Sequence, residues 1–275
     1  MNITFIDKLR TLLKVYGKIS KLPKNQQILT KIINPIDTTR YTEFAYLLKF
    51  IKNRNLRKMN ILDISSPFMM SYILASENKV LKTDINIEEK SYINETINLS
   101  FKLEDAAQLS FKDNTFDLIY SISVIEHIYN KYIQAINEMI RVVKKDGYIY
   151  LTFPVSFKHV EEWCNTNIYS HQYKENSKTF FQYRFGESDL NNIFESLKNV
   201  EVIDMSIYWE KNNGQYDKTM LQIKKQLNNK YLTLIKNSFI NFIWGFNLLE
   251  NKPGDFKSPK LFGNVSLVLK KNRCV

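Results

Sequence analysis

From Met59 to Pro154, short apolar runs alternate with stretches of helical period, and that alternation constrains this chain more than any other feature. NILDIS, KVLKTDI, FKLE, FDLIYSI and KKDGYIYLTFP each have the length and β-branched or aromatic content of a buried strand. Between them lie Ser66–Pro67 opening a helix to about Ala75, NIEEKSYINET, and a helix in SVIEHIYNKYIQAINEMIRVV with Ile133, Ile136, Ile140 and Val143 on one face. Strands separated by helices form βαβ units, which predicts an α/β domain with a parallel sheet.

The flanks read differently. Residues 3–16 place Ile6, Leu9, Leu13 and Tyr16 at helical spacing, a polar loop is expected from Lys18 to Pro35, and Thr38 or Thr39 caps a helix with Phe44, Leu47, Leu48 and Ile51 on its apolar face. After Pro154, residues 155–185 are aromatic and polar without a clear period. A helix in ESDLNNIFESLKN, a sixth strand in VEVIDMSIYW, helical pattern over 215–249 and a last strand in NVSLVLKK complete the chain.

Gly is only 7 of 275 residues, and none lies between Lys18 and Asp146. Both the GxGxxG turn of dinucleotide-binding proteins and the P-loop need glycine where backbone approaches phosphate, so these classes are excluded. Cys164 and Cys274 provide no disulfide framework, and three scattered histidines no metal-ligand spacing. No run approaches the length of a membrane span, and the N-terminus lacks a signal-peptide core, so a soluble cytoplasmic protein is expected.

The net charge of +11 is unevenly distributed: residues 1–58 carry 13 Lys/Arg against 3 Asp/Glu, residues 59–205 carry 14 against 21, and residues 206–275 carry 12 against 4. Basic flanks around an acidic centre suit an anionic partner such as nucleic acid, a phosphorylated substrate or a membrane surface. Lysine-rich composition, with 32 Lys among the 39 basic residues, gives the same charge with no partner at all.

Ligands of open parallel sheets lie beyond the carboxyl ends of the strands, near the point where strand order reverses. The candidate site therefore comprises Asp63 to Ser66, Asp84, Glu104 and Asp105, Ser121 to His127, and the chain from Pro154 onward. In their order and spacing, ILDISSP, KTDI, EDAAQLSFKDNTFDLIYSISVIEHI and RVVKKDGYIYLTFP resemble the class I S-adenosylmethionine-dependent methyltransferases. The likeness runs from about Met59 to Pro154. It departs from the family at the first loop, which is usually glycine-rich and here reads ISSPF.

The resemblance implies a Rossmann-like seven-stranded sheet, mostly parallel with the last strand antiparallel and helices on both faces. The domain spans 59–275, after an N-terminal helical extension of 1–58. It implies S-adenosyl-L-methionine as cofactor, with Asp84 on the ribose hydroxyls, Asp105 and the Ala106 amide at the adenine, Asp63, Ser65 and Ser66 around the amino-acid end, and Ser121 as a further cofactor-binding residue. Each acid has the alternative role of a cap or turn residue. The segments after the fourth and fifth strands commonly face the acceptor in this family. That makes His127, His159 and His171 candidate bases and residues 155–185 a candidate lid, against the plainer roles of local packing and surface loop.

The implied activity is methyl transfer, with oxygen of a small molecule or a sugar precursor of surface polysaccharide as the expected acceptor, and an anionic acceptor compatible with the basic flanks. SISVIEH replaces the Asn/Asp-Pro-Pro-aromatic tetrapeptide of amino-directed base methyltransferases, so nucleic acid is not favoured as partner. A non-catalytic binding protein that kept the fold is the other alternative. The family's last two strands usually form a hairpin, whereas here an insertion of 211–260 intervenes with nine Lys against three acids. Its amphipathic stretch ending in Trp244 and Phe246 is expected as a packed helical cap or homodimer contact in preference to a membrane-surface helix.

Overall fold

The computed structural model describes residues 1–23, 27–167, 169 and 171–273. Cys274 lies outside them, as do residues 168 and 170 of the candidate lid and 24–26 of the expected N-terminal loop.

Three helices precede the sheet: α1 (Phe5–Tyr16), α2 (Gln27–Ile33) and α3 (Arg40–Asn53). The domain then alternates through β1 (Asn60–Ile64), α4 (Met69–Leu74), β2 (Lys79–Asp84), β3 (Leu99–Leu103), β4 (Phe116–Ile122), α5 (Tyr132–Val142) and β5 (Val143–Val155). An elaboration of β6 (Val160–Cys164), β7 (Lys174–Glu175) and β8 (Lys178–Arg184) follows, and then α6 (Glu187–Ser196), β9 (Val200–Trp209), α7 (Gln215–Lys224), α8 (Lys230–Asn247) and β10 (Gly263–Lys271).

The main sheet has the order β3-β2-β1-β4-β5-β10-β9. β1 to β5 pair in parallel, and β10 runs antiparallel to both β5 and β9. This is the Rossmann-like arrangement expected, with the insertion carried between β9 and β10. Strand order reverses between β1 and β4, so the crevice at their carboxyl ends is where a ligand belongs. One face of the sheet packs on α1, α3 and α4 through residues such as Phe44, Leu47, Met70 and Tyr150. The other packs on α5 and α6 through Ile136, Met139, Ile149 and Ile193. Both faces are covered, which is why the strands read as nearly continuous apolar runs.

Four local expectations are corrected. In α1, Ile6, Leu9, Leu13 and Tyr16 are exposed, and the buried stripe is Lys8, Thr11, Leu12 and Val15. Both stripes have helical period; the inward one carries Leu12 and Val15 into the core, and on the same face the buried Lys8 ammonium donates to the Phe246 carbonyl at 3.3 Å in the last turn of α8. Residues expected as loop from Lys18 to Pro35 include α2. The expected helix over 86–96 is only a 3₁₀ segment, Ile87–Tyr92, capped by Asn86. The 155–185 segment is not a structure-poor loop: β6, β8 and β7 form an antiparallel sheet, held by aromatic packing of Tyr129, Trp163, Tyr173, Phe180 and Tyr183.

Candidate functional site

The loop after β1 keeps a tight turn without glycine. Ser65 takes a left-handed conformation, φ 47°, and its N–H donates to Thr83 O at 2.8 Å. A β-carbon there carries a steric cost, which the surrounding hydrogen bonds offset. Ser66 was expected to cap α4. Its Oγ instead donates to Ile64 O at 3.2 Å and accepts from Ile122 N at 2.9 Å, tying the ends of β1 and β4 across the switch point.

Asp63 is fully buried behind that loop. Its Oδ1 accepts from Ser66 N at 2.9 Å, and its Oδ2 accepts from the hydroxyls of Tyr120, at 2.8 Å, and Ser71. Burial raises the Asp63 carboxyl above the ordinary carboxylate range, against the opposing pull of Lys82. The Lys82 ammonium lies 3.7 Å from Asp63 Oδ2 and donates to Ser66 O at 2.5 Å. Asp63 thus acts as an internal strut that shapes the loop. The role of Lys82 was missed, although its position two residues before Asp84 places both on one face of β2.

Asp84, half-buried, has one carboxylate hydrogen bond among the described residues, from Asn86 N to Oδ1 at 2.8 Å. Its carbonyl accepts from Glu104 N at 3.0 Å, which brings Asp105 to the same edge. Asp105 is exposed and accepts from Ala107 N at 2.8 Å, with Ala106 half-buried between them. Glu89, from the 3₁₀ segment, lies in the field of Lys82, Asp84, Asp63 and Lys31, and burial pushes its carboxyl up. Lys31 of α2 stands 5.3 Å over the ring of Phe68. Ser121 Oγ, at the end of β4, is buried without a hydrogen-bond partner among the described residues.

The other side of the crevice is furnished by the N-terminal extension. Glu43 of α3 is fully buried, and its Oε1 accepts from Ser123 Oγ at 2.7 Å, Thr152 Oγ1 at 2.8 Å and Asn264 Nδ2 at 2.8 Å. Arg40 donates to Glu43 Oε2 at 2.5 Å and to Ser123 Oγ. Three strand ends and a helix therefore meet on one carboxylate. Beside it, Glu126 is buried with Oε2 unpartnered among the described residues, and burial raises its carboxyl to about 8 despite Arg40 nearby. A buried orphan oxygen at the end of a strand has hydrogen-bonding capacity left for a further group, as donor while the carboxyl is protonated and as acceptor once it is ionised. Glu126 was legible in SISVIEH only as part of a segment, whereas Arg40 and Glu43 carry no local signal.

The three histidines are not brought together. His127 Nδ1 lies 2.6 Å from Phe181 O, its ring meets Tyr169 and Phe181, and its Nε2 is 3.9 Å from Glu126 Oε1. Burial lowers its pKa to about 4, so it is neutral at physiological pH. His159 is tied to Asp189 Oδ2 at 2.9 Å, the carboxylate that also accepts from Gly186 N at the start of α6. His171 is exposed in a left-handed turn, φ 63°.

Residues 66–151 match the family model described as "Methyltransferase domain". An uncharacterised protein of Methanocaldococcus jannaschii is 30% identical over 122 residues, 42% of this chain; the chain spans about half, 49%, of that relative's length. Among solved structures, coclaurine N-methyltransferase, crystallised with N-methylheliamine and SAH, aligns over 98% of this chain and 88% of its own with TM-score 0.56 at 14% identity. The MccD protein aligns over 83% and 97% with TM-score 0.50 at 14% identity. At such identities these structures establish the fold.

Proposed function

We propose, from the premise that this chain carries a class I S-adenosylmethionine-dependent methyltransferase domain, that it methylates an oxygen of a small-molecule or sugar acceptor, such as a precursor of surface polysaccharide. The observation that carries the oxygen-directed reading is the unpartnered Glu126 Oε2, buried beside the ends of β4 and β5. A hydroxyl becomes a competent nucleophile as it gives up its proton, and a carboxylate with raised proton affinity is a better acceptor than an ordinary one.

The residues present fit the cofactor. Ser65 preserves the turn that glycine usually makes, Asp84 has bonding capacity for ribose hydroxyls, and Ser121 Oγ awaits a partner. Asp105 and the Ala106 amide stand on the Asp84 edge for the adenine. When bound, the cofactor supplies an electrophilic methyl group on a sulfonium. The chain's own work is to hold an acceptor oxygen in line with that methyl and to receive its proton, positioning being a large share of the rate. Arg40 and Glu43 fix Ser123 and Thr152 around the acceptor side, and His127 and Tyr169 close it.

Calorimetric titration of S-adenosylmethionine tests the first half of the reading. A screen of phosphorylated and nucleotide-linked sugars for cofactor-dependent gain of one methyl mass tests the second. Absence of cofactor binding removes the enzymatic reading, and methylation at nitrogen removes the oxygen-directed one.

A further inference from the structure

The insertion helix α8 divides along its length. Its C-terminal part packs as a cap: Asn241, Gly245 and Phe246 are buried, and Trp244 is half-buried against the core. Its N-terminal part turns an apolar stripe outward, comprising Tyr231, Ile235, Phe239 and Phe242, with Phe239 65% exposed. Spacings of four, four and three residues put these on one helix face. The exposed stripe of α1 adjoins it. Phe5 lies 4.7 Å from Phe246, which in turn lies 5.3 Å from Phe242, and Leu13, 63% exposed, continues the α1 stripe.

Charge accompanies this apolar surface. α8 contains Lys230 and Lys236 and no acid. The acid of α1, Asp7, is neutralised by Lys49 at 2.8 Å, while Arg10 and Lys14 are exposed. Beside Leu13, a groove of about 340 Å³ is walled by Lys14, Lys18, Lys52 and Arg57 over an apolar floor that includes Leu48 and Ile73, with Glu77 as its acid. Cations set above an apolar floor match the phosphate and the upper acyl chain of a lipid.

We propose that the α1–α8 face docks on an anionic lipid bilayer, with the aromatic and aliphatic stripe inserted at the headgroup level and the Lys14–Arg57 groove receiving lipid phosphates. Contiguous apolar surface of this kind marks an interaction site, and apolar residues alternating with Lys and Arg are what an anionic interface selects. A second copy of the chain is the poorer occupant, because a two-fold contact sets these uncompensated cations against each other. No helix among the described residues is long and apolar enough to cross a membrane, so the attachment is peripheral. Tyr41 of α3 packs 5.1 Å from Phe246, so the helix that carries Arg40 and Glu43 also rests on α8. The inference does not rest on methyl transfer.

The test is co-sedimentation of the full chain with phosphatidylcholine vesicles with and without phosphatidylglycerol. The expected result is binding to the anionic vesicles only, reversed by salt. Binding should weaken about tenfold or more in Ile235→Asp/Phe239→Asp and in Lys14→Glu/Lys18→Glu, with unchanged thermal melting since these side chains lie at the surface. Three results overturn the proposal: no binding to anionic vesicles at low salt, equal binding by both variants, or self-association abolished by Ile235→Asp/Phe239→Asp in a protein that ignores vesicles.

Discussion

Lys82 Nζ lies 3.7 Å from Asp63 Oδ2, and neither side chain is exposed to solvent. The pair sits under the Ser65–Ser66 turn, with Tyr120 and Ser71 completing the carboxylate's bonding. Removing one member of such a pair leaves the other desolvated and uncompensated. Lys82→Met is expected to destabilise the fold by about 3 kcal/mol at neutral pH. The loss should shrink at acid pH, where Asp63 takes up a proton and becomes neutral. Urea unfolding at both pH values measures this; a pH-independent difference means that the charge pair is not the cause.

Asp84→Ala is expected to weaken S-adenosylmethionine binding by roughly 1–3 kcal/mol, the scale of two charge-assisted hydrogen bonds. Because Asp84 makes one local contact, to Asn86 N, stability should change little by comparison. Calorimetry on a variant with an intact melting curve separates the two effects.

Glu126 gives a pH signature. Its carboxyl is raised by burial from an ordinary 4.5 to about 8, so between those values the folded chain holds a proton that the unfolded chain has released. Stability therefore falls as pH rises through that window, with a slope of at most about 1.4 kcal/mol per pH unit. Glu126→Gln should remove this dependence. If Glu126 receives the acceptor's proton, turnover of the parent protein rises toward pH 8 and the Gln variant lacks that limb. Equal pH–rate profiles would sink the assignment.

Of the three histidines, His127 is expected to matter most for turnover, since it alone adjoins the Glu126 cluster. His127→Ala should lower kcat at least tenfold with cofactor affinity retained, within the usual contribution of a positioned polar group. His159→Ala should act through stability instead, costing about 1 kcal/mol by freeing Asp189 at the start of α6. Single-turnover rates beside denaturant midpoints for the two alanine variants distinguish these outcomes.

Residues 1–58 hold Glu43, so their attachment to the domain is measurable. Glu43→Ala leaves the hydroxyls of Ser123 and Thr152 and the Asn264 amide without their shared acceptor. A cost of roughly 3 kcal/mol is expected, together with faster proteolysis between residues 1 and 58. Loss of stability without earlier cleavage there would mean that the extension and the sheet unfold as one unit.

The order of the five strands from Met59 to Pro154, the acid closing β2 and the insertion before the last strand were legible in the chain. Each is written in local period or spacing, and a strand buried on both faces has few ways to read. Other features depended on partners far away in sequence. The inward stripe of α1 packs into a core shared with Phe44, Leu47 and Met70 and meets the Phe246 carbonyl, 238 residues from Lys8. The loop expected over 155–185 gave way to a sheet because its aromatic residues pack on Tyr129 and on one another. The buried Glu43 cluster exists because Glu43 meets Ser123, Thr152 and Asn264, which lie 80, 109 and 221 residues away. Periodicity states which residues can share a face. Only the packed molecule decides which face is covered and which buried charges find one another, because burial and pairing are properties of the neighbours.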